Sequence, residues 1–198
     1  MALHRSTRRI VITGGPAAGK THVTRDLEPL LHGRADFIGE TATLLYGGGM
    51  PRPENDEQAG YVQRAIYAVQ RGLEEVRAAS RPHGFQICDR GCLDGAAYWP
   101  GGLAAFLHEF GTTHEAELAR YVAVVFLESS ACGPGGYENQ GNVTRTEGAE
   151  EASSIDHRLR AIWSPHPNFL LVPSRPTLAE KRKDALAVLQ MLLATQVT

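Results

Sequence analysis

The chain has 198 residues, of which 42% are apolar and 21% charged, the balance of a soluble globular protein rather than a disordered, fibrous or membrane-spanning one. Twenty basic against twenty-two acidic residues leave a net charge of −2, which argues against a general nucleic-acid or membrane-surface binder and for small, local ligands. At this length a full core forms without metal or disulfide staples. Cys88, Cys92 and Cys132 are an odd number with no C-x-x-C pair, which fits a reducing compartment. Met1 to Arg9 is polar and basic, without the apolar core of a signal peptide, and no apolar run reaches the ~18 residues of a membrane span. A single cytoplasmic domain over residues 1–198 is the expectation.

Taken in chain order, Arg9-Ile-Val-Ile-Thr13 is a β-branched run ending in Gly14-Gly15-Pro16, as a buried strand feeding a glycine turn would. A helical pattern covers Lys20 to Leu31, and Phe37 to Glu40 reads as a second short strand. Tyr46 to Pro53, with three consecutive glycines and two prolines, reads as loop. Asn55 and Gln58 form a helix cap, after which Val62, Ile66, Val69, Leu73 and Val76 mark one face of a long amphipathic helix. Phe85 to Cys88 is the third strand, ending at Asp89-Arg90-Gly91, with a weaker helical region to about Phe110. Thr112 and Glu115 have the spacing of a capping box. Tyr121 to Leu127 is continuously apolar, so it is expected to be buried on both faces. A long polar segment from Ser129 to Ser153 reads as a functional flap. A helix from about Glu151 to Trp163, a strand at Phe169 to Val172, and a helix capped by Thr177 and Glu180 complete the chain.

Alternating strands and helices imply a parallel sheet covered on both faces, with ligands at the carboxyl ends of the strands. There, Gly14, Gly15, Pro16, Ala17, Ala18, Gly19, Lys20 and Thr21 match G-x-x-x-x-G-K-[ST] between a strand and a helix. Glycines let backbone N–H groups surround a phosphate, and the helix N-terminus adds partial positive charge. Lys20 would reach the β- and γ-phosphates of ATP or GTP and Thr21 would place its hydroxyl on Mg²⁺. The chain has 17 arginines and three lysines, Lys20 being the only lysine before Lys181. An arginine fork would be too bulky for the narrow nest. Asp89, directly after the third strand, is a candidate Mg²⁺ or substrate ligand, or else a turn cap. Arg90 could pair with carboxylates or grip the acceptor.

The P-loop segment, the Phe-Ile-Gly-Glu40-Thr-Ala stretch and Cys-Asp89-Arg90-Gly91-Cys-Leu-Asp94-Gly-Ala-Ala-Tyr98 together resemble NadR-like AAA-type ATPase/kinase domains, a P-loop group related to ribosylnicotinamide kinase. The resemblance runs from Arg9 to about Leu193. It implies a three-layer α/β P-loop NTPase fold, with a five-stranded parallel sheet of order 2-3-1-4-5 and a lid at about 129–160. Asp89 would then stand beside the P-loop, and Glu40 across the cleft, where it would accept a proton or hydrogen bond from a substrate hydroxyl. The competing role for Glu40 is a helix-start carboxylate. Asp94 would orient Arg90, and Tyr98 would line the acceptor pocket or pack.

Arg145, Arg158 and Arg160 are the lid cations. By the same resemblance they would stabilise the transferring phosphoryl group or contact the nucleotide, Arg145 and Arg158 as catalytic candidates and Arg160 as a nucleotide contact. Their alternative is pairing with Glu147, Glu150, Glu151 and Asp156. Pro173 to Thr177 occupies the loop that touches the purine in related folds. No adenylyltransferase module, helical lid domain of a ring-forming ATPase or Asn-Lys-x-Asp guanine motif is evident. The expected activity is Mg²⁺-dependent phosphoryl transfer from ATP or GTP to the hydroxyl of a small, nucleoside-like acceptor, by a monomer or homodimer with no nucleic-acid or membrane partner. The alternative is a nucleotide-binding switch or slow NTPase that recruits a protein partner.

Overall fold

The computed structural model describes residues 7–31, 33–80, 84–133 and 148–195. Five strands, β1 (Arg8–Thr13), β2 (Ala35–Ile38), β3 (Phe85–Asp89), β4 (Ala123–Leu127) and β5 (Phe169–Val172), pair in parallel in the order β2-β3-β1-β4-β5. That is the expected 2-3-1-4-5 sheet. Register sets Ile12 of β1 opposite Asp89 of β3 and Thr13 opposite Phe126 of β4, so the ends of the central strands are level where the site forms.

The helices are α1 (Lys20–Leu30), α2 (Thr41–Gly47), α3 (Asp56–Ser80), α4 (Gly102–Glu109), α5 (His114–Leu118), α6 (Ala149–Trp163) and α7 (Leu178–Thr195). Because side chains alternate across a strand, Ile10, Ile12, Ile87, Val125 and Leu127 face one layer. Val23 and Leu27 of α1 and Ala185 and Leu189 of α7 cover them. Val11, Cys88, Val124 and Phe126 face the other layer, where Leu93, Phe106, Leu159 and Trp163 meet them. Every residue of β4 is buried, as its unbroken apolarity requires. Each large side chain buried in these layers contributes roughly 1.5–3 kcal/mol.

The elements depart from expectation in four places. Glu40 is not in a strand: β2 ends at Ile38 and Glu40 is the N-cap position of α2, which extends through Tyr46 into the segment expected to be loop. The residues after Gly91 form a 3₁₀ segment (Cys92–Tyr98) before α4, so Asp94 and Tyr98, four apart, do not share a face as they would on an α-helix. The cap of α5 is Thr113, whose hydroxyl accepts from Ala116 N at 3.1 Å, one residue beyond the expected Thr112.

Helix α3 is the fourth. Asn55 and Gln58 do cap it, with Gln58 N donating to Asn55 Oδ1 at 2.9 Å. Its most buried residues, however, include Gln63, Gln70 and Glu74, while Val76 is 66% exposed. The apolar stripe misled because this helix covers polar residues after β3 as well as the sheet. Glu74, fully buried, accepts from Arg120 Nη2 at 2.5 Å, Tyr121 Oη at 2.9 Å and Gln70 Nε2 at 2.9 Å. A carboxylate survives burial only with such partners. Among the described residues, no helix is long and apolar enough to cross a membrane.

Candidate active site

The phosphate cradle is built by backbone. Strand β1 stops at Thr13, and Gly14 takes φ +136° so close beneath β4 that a Cβ would lie 1.9 Å from the Leu127 carbonyl oxygen. Only glycine fits there. The turn continues through Ala17 (φ +58°) and Gly19 (φ +86°) into α1. Gly14, Gly15 and Ala18 are buried on the underside, while Pro16, Ala17, Gly19, Lys20 and Thr21 line a cavity of about 1190 Å³. Lys20 Nζ donates to the carbonyls of Gly14 (2.8 Å) and Gly15 (2.9 Å), curled over the loop it serves. Burial and the neighbouring Arg90 pull the Lys20 ammonium down to about 7, against the attraction of Glu40, Asp89 and Asp94.

Side chains from distant segments brace the loop. Asp156 Oδ1, from α6, accepts from Gly15 N at 2.8 Å and from Ser129 N at 2.9 Å. Ser129 Oγ donates to the Pro16 carbonyl. Lys181 Nζ, from α7, donates to the Glu128 carbonyl, and burial draws that ammonium down to about 8. Asp156, Ser129 and Lys181 were missed as parts of the site. Pairing with a lid arginine was the alternative offered for Asp156, and its carboxylate accepts from a P-loop N–H instead. Position 181 was visible as one of only three lysines in an arginine-rich chain.

The opposite wall is built by side chains. Arg90, with φ +75°, is a non-glycine residue in the left-handed region, held there by its N–H donating to Ile12 O at 3.0 Å. That turn aims the guanidinium at Glu40, with Nε donating to Oε1 at 2.5 Å, and at Asp94, with Nη1 donating to Oδ1 at 3.2 Å. Asp94 also accepts from Thr13 Oγ1 (2.6 Å), Gly91 N (3.0 Å) and Trp163 Nε1 (3.1 Å). Asp94 thus fixes Arg90, as expected, and Trp163 is a packed core residue with a structural hydrogen bond. Glu40 accepts from Thr43 Oγ1 at 2.6 Å as well. Burial raises its pKa, but Arg90 and Lys20 together outweigh that and hold it down at about 2. Although it stands at an N-cap, its side chain makes no cap hydrogen bond and turns instead to the cleft.

Asp89 lies under the floor, 5% exposed, and its Oδ1 has no hydrogen-bond partner. Burial pushes the carboxyl up to about 6, with Lys20 opposing. A buried carboxylate oxygen left without a donor, next to the P-loop, fits a hydrated Mg²⁺. Mg²⁺ needs only one or two carboxylates and completes its shell with water and phosphate. Thr21, exposed at the cavity wall, is the hydroxyl that would accompany it.

The lid candidates separate. Arg158 is exposed on α6 and lines the cavity, and among the described residues no carboxylate pairs with it. Arg160 does not line the cavity; its Nη1 lies 3.4 Å from Glu128 Oε1. Arg145 lies outside the described residues. Arg175 and Thr177, of the loop after β5, reach the cavity as expected, and so does Tyr98. His166 does not: it is buried, hydrogen-bonded to Tyr121 O and Asn168 N, and explained by packing.

No curated protein matches the chain. Among solved structures, a thymidylate kinase from Ehrlichia chaffeensis superposes with a TM-score of 0.63 at 15% identity, covering 94% of this chain and 99% of that one. A shikimate kinase from Acinetobacter baumannii, in complex with shikimate, gives 0.54 at 16% identity, covering 98% and 97%. Both share the fold. A family model described as an AAA domain matches residues 9–181, and with the P-loop and sheet order above, the chain belongs to that family of P-loop proteins.

Proposed function

We propose that the protein is a Mg²⁺-dependent small-molecule kinase, moving the γ-phosphoryl group of ATP or GTP to a hydroxyl of a small acceptor. One observation carries this: the cavity does not stop at the P-loop. It continues past Glu40 and Arg90 into a compartment walled by α2, α3 and the 3₁₀ segment. Its volume of about 1190 Å³ exceeds the roughly 300–1,000 Å³ usual for a single ligand. That volume supports room for both a nucleotide and an acceptor, with Lys20 and Glu40 both on its wall. The kinase fold of the two solved structures supports the same class of chemistry.

In this mechanism residues 14–21 wrap the phosphates, and Lys20 leaves the Gly14 and Gly15 carbonyls to reach them. Thr21 and Asp89 would hold a hydrated Mg²⁺, which would supply charge neutralisation to the phosphates. Glu40, ionised throughout the physiological range, accepts a hydrogen bond from the acceptor hydroxyl and turns its oxygen lone pair toward the phosphorus. Such a weak base orients rather than abstracts, which suffices for a loose transition state. Arg90 keeps Glu40 in place, and Arg158 supplies a cation from the lid side.

ADP release from ATP·Mg²⁺ and GDP release from GTP·Mg²⁺ across a panel of nucleosides, ribosylnicotinamide and aminoglycoside-like alcohols, with Lys20→Ala as control, tests the proposal. An acceptor that raises release at least tenfold and gains phosphate by mass supports it. Uniformly slow, Lys20-dependent hydrolysis that no acceptor accelerates refutes it in favour of a nucleotide switch.

A further inference from the structure

Two glutamines, Gln63 and Gln70, stand seven residues apart on the same face of α3. Both are buried, at 8% and 2% exposure, and both line the cavity. Their side chains are employed differently. Gln70 is consumed by the protein: its Oε1 accepts from Thr41 Oγ1 at 2.6 Å, while Nε2 donates to Glu74 Oε1 at 2.9 Å and Arg90 O at 3.3 Å. It ties α3 to the residue after Glu40 and to the backbone of Arg90. Gln63 has no hydrogen-bond partner among the described residues. The amide opens onto the cavity, where a bound molecule can complete it.

The surroundings of Gln63 limit what that can be. Its oxygen rests on Gly95, where a Cβ would come within 2.9 Å, so the bare turn of the 3₁₀ segment makes room for the amide. Ile66, Tyr98 and Trp99 line the same cavity and bring an aliphatic and two aromatic side chains to it. At 1.5 Å per residue, Gln63 lies about 10 Å along α3 from Gln70, which marks the Arg90 end. An acceptor reaching from Glu40 to Gln63 spans that length, with a hydroxyl at one end and a flat group at the other.

We infer that Gln63 is the specificity-determining residue of the acceptor compartment and recognises the edge of a planar ring bearing an adjacent N–H and C=O. A primary carboxamide offers one donor edge and one acceptor edge side by side, complementary to that pair. The same chemistry occurs in the lactam edge of a nucleobase and in a ring-attached carboxamide. The inference rests on the kinase proposal for the presence of a hydroxyl acceptor, and it adds the group at the acceptor's far end.

The test is direct binding, by calorimetry in the presence of ADP·Mg²⁺, of uridine, inosine and ribosylnicotinamide against 3-methyluridine and 1-methylinosine, whose lactam N–H is replaced by methyl. Phosphoryl transfer to each is read separately. At least one amide-bearing riboside should bind, the lactam type being preferred over its N-methyl counterpart about tenfold or more. Preference for uridine or inosine identifies the lactam source, and preference for ribosylnicotinamide the carboxamide. Gln63→Leu should abolish the gain while leaving ADP·Mg²⁺ affinity unchanged. Gln63→Glu, which keeps the shape and loses the donor, should weaken the chosen ligand by a similar factor. Gln63-dependent binding without any transfer would uphold the inference and break the kinase proposal. Transfer to a hydroxyl acceptor that is indifferent to N-methylation and to Gln63→Leu would overturn the inference and leave the kinase standing. Failure of every riboside to bind would overturn it as well.

Discussion

The two halves of the cavity are made of different material. The half proposed for the nucleotide is a loop of consecutive residues, 14–21, which would meet a phosphate with backbone N–H groups and one lysine. The half proposed for the acceptor is an assembly of side chains: Glu40 from the start of α2, Gln63 and Gln70 from α3, Arg90 and Asp94 from the chain after β3. A backbone site tolerates few sequences because its glycines answer to geometry, as Gly14 does under the Leu127 carbonyl. A side-chain site can be rewritten position by position, which suits a fold that accepts different acceptors.

The difference can be broken or sharpened by mutation. Lys20→Ala should have the largest effect, lowering transfer about 10³-fold or more in an assay of ADP release, because no backbone group replaces its charge. Glu40→Gln should cost about 10²-fold in kcat while nucleotide affinity stays within about twofold. Equal loss of both would mean that the halves are not separable. Asp156→Ala removes the acceptor shared by Gly15 N and Ser129 N, leaving two buried donors unpaired. It should destabilise the fold by ~2–4 kcal/mol in denaturant melts and weaken nucleotide binding, with Asp156→Asn recovering most of both.

The smallest effect is on acid stability. Glu40 has a folded-state pKa of about 2, below its ordinary 4.5, so it binds fewer protons folded than unfolded in that window. Its contribution is complete above about 4.5 and lost as pH falls toward 2. Arg90→Leu, which removes the main attraction, should flatten that limb of the stability curve between pH 4.5 and 2, measured by denaturant midpoint.

The same contrast explains how much was legible beforehand. Strand order followed from alternation and the family resemblance, and the phosphate cradle from eight adjacent residues. Arg90, Asp94 and Glu40 were found because they sit directly after strands or within a motif. Gln63, Gln70 and Glu74 were not, because on α3 the apolar positions beside them carry a helical period of their own, and a buried amide is indistinguishable in sequence from a solvated one. Asp156 was hidden for another reason: its partners, Gly15 and Ser129, lie 141 and 27 residues away. The lid arginines stood nearer to it in sequence than either of those partners.

The kinase reading requires that one cavity hold two reactants. The most direct measurement is the mass of each acceptor in the panel after incubation with ATP·Mg²⁺ or GTP·Mg²⁺ and the wild-type, Lys20→Ala or Glu40→Gln protein. An acceptor that gains one phosphate with the wild type, none with Lys20→Ala and about a hundredth as fast with Glu40→Gln is the predicted result. Nucleotide hydrolysis that depends on Lys20, ignores Glu40 and phosphorylates nothing would contradict it.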